Sequence, residues 1–339
     1  MSSQSSRVRA FAPGRVNLIG DHTDYAGGLA MPMAINLGIT VEGRRGGDQV
    51  ELRSATADEP VVLPLVIDDP AAVLPSWGRY VAGVVHEVAP AQGFRGAVTS
   101  TLPAGSGLSS SAALELAVAL ALGFEGSALA LAEACQRAEQ VASGVPCGLM
   151  DQLASASGTD GHALLVDFTT LDVALVPVPS TAAIVVIHSG QPRALADSAY
   201  AERRGATEAA SAVVGPLHDA GLDDLAQIVD PLIRRRARHV VSENERVRAF
   251  ADAFASSDLV TAGALMTASH ASLRDDFDVS TPVLDALVER LVATPGVYGA
   301  RLTGAGFGGC VVALADPGVL DEGWTVRASA GARVEALDG

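Results

Sequence analysis

The stretch LPAGSGLSSSAALELAVALAL, Leu102 to Leu122, decides the fold. Gly105 and Gly107, on either side of Ser106, allow a sharp bend and a close approach of backbone to a ligand. Leu108 and three serines, Ser109, Ser110 and Ser111, come next, and the Ala/Leu run behind them predicts a helix over Ala112–Leu122. A glycine loop feeding a helix N-terminus collects unpaired amide N–H groups and the positive end of the helix dipole at one point, which suits an anion, above all phosphate. The same residues also spell an ordinary turn with an N-cap. An absence sharpens the choice: the chain has no lysine, and all 23 of its basic residues are arginine. A Walker-type phosphate loop needs its lysine and a protein kinase needs one on its third strand, so both nucleotide schemes fall. What survives is a loop, Gly105 to Ser111, that would hold phosphate through amides, hydroxyls and Mg²⁺.

With 339 residues the chain exceeds the usual size of one compact domain and is expected to form two. Hydrophobic residues make up 49% and aromatics only 4%, so the core must be built from Ala, Val and Leu. A net charge of −16 argues against a nucleic-acid partner, because a phosphate backbone would be repelled. The three cysteines, Cys135, Cys147 and Cys310, show no paired spacing and no metal-ligand pattern with the seven histidines, as in a reducing compartment. Met1 to Ser6 is polar, without an apolar signal core, and the apolar run Leu114 to Leu122 is too short to span a membrane. The expectation is a cytoplasmic protein with neither a membrane nor a nucleic-acid partner.

Strand patterns cluster at both ends of the chain and helical patterns lie between, which is α+β and not a regular βαβ alternation. Strands are expected at Val8–Ala12, Ile35–Glu42, Ala97–Leu102, Ala163–Asp167, Leu175–Val178, Ala183–His188 and Val297–Thr303, with another after the glycine turn GAGFGG. Helices are expected at Trp77–Ala89, Leu129–Ser143, Ala196–Val214, Pro231–Ala255, Leu259–Leu273 and Pro282–Leu291. The division expected is an N-terminal domain, 1–178, and a C-terminal one, 179–339.

Three further segments carry chemistry. Gly14 to Tyr25, GRVNLIGDHTDY, packs a guanidinium, two carboxylates, an imidazole, an amide and a phenol beside apolar strand residues, a mixture able to hold vicinal hydroxyls by directed hydrogen bonds. Gly148-Leu149-Met150-Asp151-Gln152 puts a carboxylate after the break at Pro146, twelve residues beyond Glu139. Phosphoryl transfer to a hydroxyl needs metal ligands, a group for the hydroxyl proton and cationic charge near the moving phosphoryl. Asp151 suits the hydroxyl, Glu139 with Ser111 suits Mg²⁺, and Arg15 suits the developing charge. The third segment, Leu302 to Cys310, LTGAGFGGC, brings four glycines between two strands. Packing against the serine turn and direct phosphate contact are both open to it.

In this order the motifs resemble the three signatures of the galactokinase, homoserine kinase, mevalonate kinase and phosphomevalonate kinase superfamily. Within it, GRVNLIGDHTDYAGG, LPAGSGLSSSAALE, PCGLMDQLAS and LTGAGFGGC are most similar to the galactokinase branch. The likeness continues through Arg193–Arg204, RARHVVSENERV (Arg236–Val247) and SHASLRDDFDVSTPVLD (Ser269–Asp285), and so spans nearly the whole chain. The resemblance implies a two-domain α+β small-molecule kinase fold with its site in the interdomain cleft and a ferredoxin-like C-terminal domain. It implies MgATP-dependent phosphorylation of the anomeric hydroxyl of galactose. Asp151 then matches the catalytic base and Arg15 the transition-state stabiliser. Asp21, His22, Thr23, Asp24, Gly148 and Tyr200 match the sugar contacts, Gly105 to Ser111 the ATP loop, and Ser111 with Glu139 the Mg²⁺ ligands.

The resemblance leaves room for a kinase of another small alcohol, for a sugar 1-kinase acting on N-acetylgalactosamine or galacturonate, and for a sugar sensor without turnover. The run His22-Thr23-Asp24-Tyr25 favours the sugar branch, and the presence of Asp151, Arg15 and Glu139 favours turnover. One departure stands out: that branch usually carries Glu where this chain has Asp21, a side chain shorter by one methylene. Comparing turnover of the wild type and Asp21→Glu on galactose and on C6- or C2-modified hexoses tests its effect. A shift in preference between these sugars is expected; identical selectivity profiles would dispose of the idea.

Overall fold

The structure is a computed structural model that describes residues 6–103, 105–192 and 196–337; Met1 and Arg193, named above, lie outside them. In chain order the elements are β1 (Arg7–Asn17), β2 (Leu29–Ala30), β3 (Pro32–Arg45), β4 (Gln49–Ser54), β5 (Val61–Pro64), α1 (Gly78–Val88), β6 (Phe94–Ser100), α2 (Ser110–Leu122), α3 (Ala128–Ser143) and α4 (Met150–Ser157). They continue with β7 (His162–Asp167), β8 (Asp172–Pro177), β9 (Ala183–His188), α5 (Ala196–Val214), α6 (Pro231–Ala255), α7 (Leu259–Asp275), α8 (Pro282–Val292), β10 (Val297–Thr303), β11 (Cys310–Ala315), β12 (Trp324–Val326) and β13 (Arg333–Leu337).

A six-stranded sheet runs in the order β13-β1-β3-β6-β4-β5, a four-stranded sheet in the order β10-β11-β9-β12, and a small third sheet in the order β2-β7-β8. Pairing is antiparallel except between β4 and β6. Along β1 the pleat turns Val8, Ala10 and Ala12 into the core and Arg7 and Arg9 to solvent, the alternation of a sheet covered on one face. The covering layer is α1 to α4, with α2 at its centre. Beyond its first turn and apart from Glu115, α2 is apolar around its circumference, and Ala112 to Ala119 are all buried. A second core fills the space between the four-stranded sheet and the later helices, joining Ile187 and Val311 to Val240, Leu273 and Leu291. Among the described residues no helix is long and apolar enough to cross a membrane.

Local chemistry explains the element ends. Asp230 caps α6 with Pro231 in its first turn, and Thr281 does the same for α8 with Pro282. Helix α3 ends at Gly144, whose left-handed φ of 73° supplies the C-cap ahead of Pro146. Among the elements that the reading of the sequence did not include are α4 and β13, with the short strands β5 and β12. The stretch after Pro146 forms helix α4, whose eight residues are too few and too rich in Ala and Ser to show a helical stripe. The chain also ends in a strand: β13 returns to β1, pairing Arg7 with Leu337 through Phe11 with Arg333. Four of its five residues are exposed, so it owes its place to the ladder along β1 and not to an apolar pattern of its own.

Helix α7 lies very close to β10. A Cβ on Gly263 would run into the carbonyl of Tyr298, and one on Gly299 into the carbonyl of Gly263. Backbone on both sides of the contact cannot yield as a side chain would. Gly263→Ala is therefore expected to destabilise the protein by about 1–3 kcal/mol, the usual cost of overpacking. Denaturant unfolding monitored by circular dichroism measures this, and an unchanged midpoint would contradict the contact.

Candidate active site

Arg15, near the end of β1, is only 3% exposed. Its guanidinium forms a fork on Asp151, Nε to Oδ1 at 2.7 Å and Nη2 to Oδ2 at 2.7 Å. Its third nitrogen donates to the Gly107 carbonyl at 3.0 Å, and its backbone N–H donates to the Leu108 carbonyl at 3.2 Å. Arginine thus ties β1, the glycine-serine loop and the start of α4 together with planar, bidentate geometry that lysine could not supply. Ser109 completes the set: its hydroxyl donates to Asp151 Oδ2 at 2.5 Å. Ser109 occupies the N-cap position of α2 but has φ 59°, a left-handed conformation uncommon for serine, and its side chain makes no cap. Strain of this kind gathers at functional sites. Here it turns the hydroxyl toward Asp151 and leaves the first-turn amides of α2 without a side-chain partner.

Behind this pair the Ser111 hydroxyl donates to Glu139 Oε1 at 2.9 Å. Gln152, next to Asp151 in sequence, donates its amide to Glu139 Oε2 at 2.5 Å and to Glu115 Oε2 at 3.3 Å. Burial, reinforced by the charge of Asp151, lifts Glu139 to about 7. Glu115, fully buried within α2, is pushed well above the usual carboxylate range by burial and by Glu139. Among the described residues no group of three His, Cys, Asp or Glu side chains has the geometry of a closed metal site. A hydroxyl and a carboxylate side by side are what an Mg²⁺ ion needs when phosphate oxygens and water complete its shell.

The loop after β1 carries the sugar-type residues. Asp24 is half-buried; its carboxylate accepts the backbone N–H groups of Tyr25 and Met150, and so lies at the start of α4. A Cβ on Gly148 would collide with that carboxylate, so the position has to be glycine. Burial, with the charge of Asp151 added, raises Asp24 to about 6. His22 is nearly buried. Its Nε2 lies 3.2 Å from the Ala305 carbonyl, which can only accept, so Nδ1 takes the Tyr25 hydroxyl at 2.8 Å. Burial holds this imidazole neutral, with its pKa down at about 3. Tyr25, Tyr200, His22 and Phe277 form an aromatic wall, with ring centroids 4.7 Å apart for His22 and Phe277 and 5.5 Å for Tyr25 and Tyr200.

The residues singled out in the sequence therefore fall into two sets. Arg15, Asp24, Ser109, Ser111, Glu139, Gly148, Asp151 and Tyr200 meet around one space, with Gly105, Gly107 and Ser110 on the loop beside it. The others face inward. Thr23 is buried with its hydroxyl on the carbonyls of Gly20 and Leu29, Ser106 bonds the Pro103 carbonyl, and Leu108 belongs to the core. Asp21 is 1% exposed: Oδ1 accepts the Gly304 N–H at 2.9 Å, and Oδ2 pairs with Arg301 at 2.5 Å. An influence of Asp21 on selectivity would accordingly act through the placement of its loop. The glycine turn, one of whose two open roles was packing against the serine loop, instead meets the sugar-type loop at Asp21 and His22, and Val279 through Phe307. Tyr25, Phe277, Arg301, Gln152 and Glu115 were not assigned a role from the sequence. Tyr25 and Phe277 stand within quoted motifs, but contact with the site comes only from chain folding.

A lysine-free phosphate loop at a helix N-terminus, a carboxylate paired to a buried arginine and a sheet-on-helix scaffold of this topology define an ATP-dependent small-molecule kinase. Residues 79–159 match the N-terminal domain of GHMP kinases, 250–324 their C-terminal domain, and 2–45 the galactokinase galactose-binding signature. The galactokinase of Canis lupus familiaris is 43% identical over 322 residues, covering 89% of this chain and 82% of that protein. The crystal structure of Lactococcus lactis galactokinase complexed with galactose superposes with a TM-score of 0.88 at 32% identity, covering 96% of this chain and 95% of that one. The mevalonate kinase of Methanococcus jannaschii shares the fold, with a TM-score of 0.66 at 20% identity over 93% of this chain and 92% of its own. The chain belongs to the galactokinase family and is an ATP-dependent sugar kinase.

The raised Asp24 sets a pH dependence. Below about pH 6 its carboxyl is protonated and loses acceptor capacity. The KM for sugar is expected to climb as pH falls through about 6, and Asp24→Asn should flatten that profile at a uniformly high KM. Steady-state kinetics between pH 5 and about 8 check this; a wild-type KM independent of pH would contradict it.

Proposed function

We propose that this chain transfers the γ-phosphoryl group of ATP to the anomeric hydroxyl of galactose, giving galactose 1-phosphate and ADP. The observation that carries the reading is the Asp151 carboxylate, gripped by Arg15 and Ser109 at the meeting point of the phosphate loop and the loop of Asp24. In the transfer the sugar oxygen forms the new O–P bond, the bond between the γ-phosphorus and the bridging oxygen breaks, and the hydroxyl proton leaves toward Asp151. The transition state of such transfers is loose, so alignment of the oxygen matters more than early removal of its proton. A carboxylate whose two oxygens already accept three hydrogen bonds is built for alignment. Arg15, fixed by the same pair, keeps a positive charge beside the place where phosphoryl oxygens gain negative charge.

On the phosphate side, the amides of the α2 first turn and the hydroxyls of Ser110 and Ser111 bind the triphosphate. Ser111 and Glu139 would hold Mg²⁺, which supplies charge neutralisation of the phosphates when bound. The donor set supports this assignment: burial, with the charge of Asp151 added, raises both Asp24 and Glu139, and a triphosphate adds further negative charge to the same space. On the sugar side, Asp24 and the aromatic wall with Tyr200 receive the hexose, and Gly148 leaves the room that a side chain would take.

An ADP-release assay across galactose, glucose, N-acetylgalactosamine and galacturonate tests the proposal. Turnover is expected with galactose. Asp151→Asn should lower kcat by about 10²- to 10⁴-fold, the range for loss of a proton-handling group, while calorimetry still shows sugar binding. A wild type that binds ATP and galactose without producing ADP would establish a sensor instead.

A further inference from the structure

The segment RARHVVSENERV takes no part in the chemistry described so far, yet its central residues are among the most deeply buried polar groups of the chain. His239 and Glu243 are 0% exposed and Asn244 is 3% exposed. His239 and Glu243, four residues apart on α6, share one face of the helix, and Asn244, next to Glu243, stands about 100° further round it. Each binds the backbone of one loop, Gly20 to Leu29. Glu243 Oε1 accepts the Gly20 N–H at 3.1 Å. His239 Nε2 donates to the Asp21 carbonyl at 3.1 Å, its Nδ1 accepting the Ser272 hydroxyl at 2.9 Å. Asn244 Oδ1 accepts the Leu29 N–H at 2.8 Å. Gly28 makes that approach possible, since a Cβ there would stand 2.5 Å from Asn244 Oδ1.

Glu243 is the anchor of this face. Its Oε1 also accepts the Ser269 hydroxyl, and its Oε2 accepts Arg246 Nε at 2.6 Å. Burying a carboxylate is costly unless it is paired and hydrogen-bonded, and this one has an arginine, a hydroxyl and a main-chain amide. An ionised acceptor makes the stronger hydrogen bond to the Gly20 amide, so the charge stiffens the entry of the loop. Asn244 fixes its exit. Between the two anchors stand Asp24, whose carboxylate lies at the start of α4, and His22 and Tyr25 of the aromatic wall.

We infer that Glu243 is a positioning residue for the sugar acceptor: from α6 it fixes the backbone of the Gly20–Leu29 loop and thereby sets the placement of Asp24 against Gly148 and Asp151. The inference rests on the sugar-kinase reading of that site and extends it to a helix that touches neither substrate. Positioning of this kind separates the two substrates. The phosphate loop hangs on Arg15 and α2, and among the described residues none of its groups hydrogen-bonds to Glu243, so a change at Glu243 should be felt by the sugar and not by ATP.

Steady-state kinetics and calorimetric galactose binding of Glu243→Gln test this. The variant keeps volume and an acceptor but gives up the charge. The KM for galactose and its Kd are expected to rise about 10- to 100-fold, the scale of an ångström-level misplacement, while the KM for ATP stays within about twofold. Asn244→Ala, which removes the acceptor at the other end of the loop, should shift the same constant in the same direction, and it serves as the reading if Glu243→Gln does not fold. A merely structural role would lower the melting temperature and leave both KM values of the folded fraction unchanged; that result, or an equal rise in the KM for galactose and for ATP, would overturn the inference. Wild-type turnover on galactose in the same assay judges the proposed reaction by itself, independently of the ratio of variant to wild type.

Discussion

The fork between Arg15 and Asp151 is the interaction on which the rest of the site depends. A guanidinium so nearly excluded from water must have every N–H directed at an acceptor, and its acceptors come from different parts of the chain: the α4 carboxylate and the Gly107 carbonyl of the phosphate loop. The strand that carries Arg15 leads directly into the loop that carries Asp24. One buried charge therefore fixes the mutual position of the glycine-serine loop, the Asp151 carboxylate and the loop of Asp24. The same constraint accounts for the left-handed backbone at Ser109, because the hydroxyl has to reach the free side of Asp151 Oδ2.

Around that fork the electrostatics are unusually acidic. Asp24, Glu139 and Glu115 all hold their protons to higher pH than ordinary carboxyls, burial being the first cause for each and a neighbouring carboxylate the second. A cation placed beside them would favour their ionised forms. Away from the chemistry, buried charges are resolved by pairing: Arg301 with Asp21, and Glu243 with Arg246. Arg301 ties the sugar-type loop to β10, and Glu243, paired within α6, accepts that loop's Gly20 amide. The acceptor loop is thus held by its backbone and by Asp21, and Asp24 is set against the start of α4.

Much of this was legible in the sequence because it is local. The glycine-serine loop, its helix and the Pro146 break are written in residues a few positions apart, and the long amphipathic helices α5 to α8 follow from their periodicity. The roles of Arg15, Asp151, Ser111 and Glu139 were readable as types of chemistry, and their contacts in the structure bring those types together. What was not legible depends on distance along the chain. Ser109 looked like one more phosphate ligand, yet its hydroxyl is on a carboxylate 42 residues away. Asp21 looked like a sugar contact, and its partner Arg301 comes from the far end of the chain. Strand β13 has no apolar stripe, and only its ladder with β1 creates it. Glu243, His239 and Asn244 stood in a segment whose likeness was plain but whose purpose was not, since a helix face acquires meaning only from what packs on it.

The most direct measurement of the central claim is a crystal structure of the protein with galactose and a non-hydrolysable ATP analogue. The account predicts the anomeric oxygen within about 3 Å of an Asp151 carboxylate oxygen, with the triphosphate on the first-turn amides of α2 and the hydroxyls of Ser110 and Ser111. An Asp151 carboxylate out of reach of the sugar, or a triphosphate seated away from those groups, would contradict it.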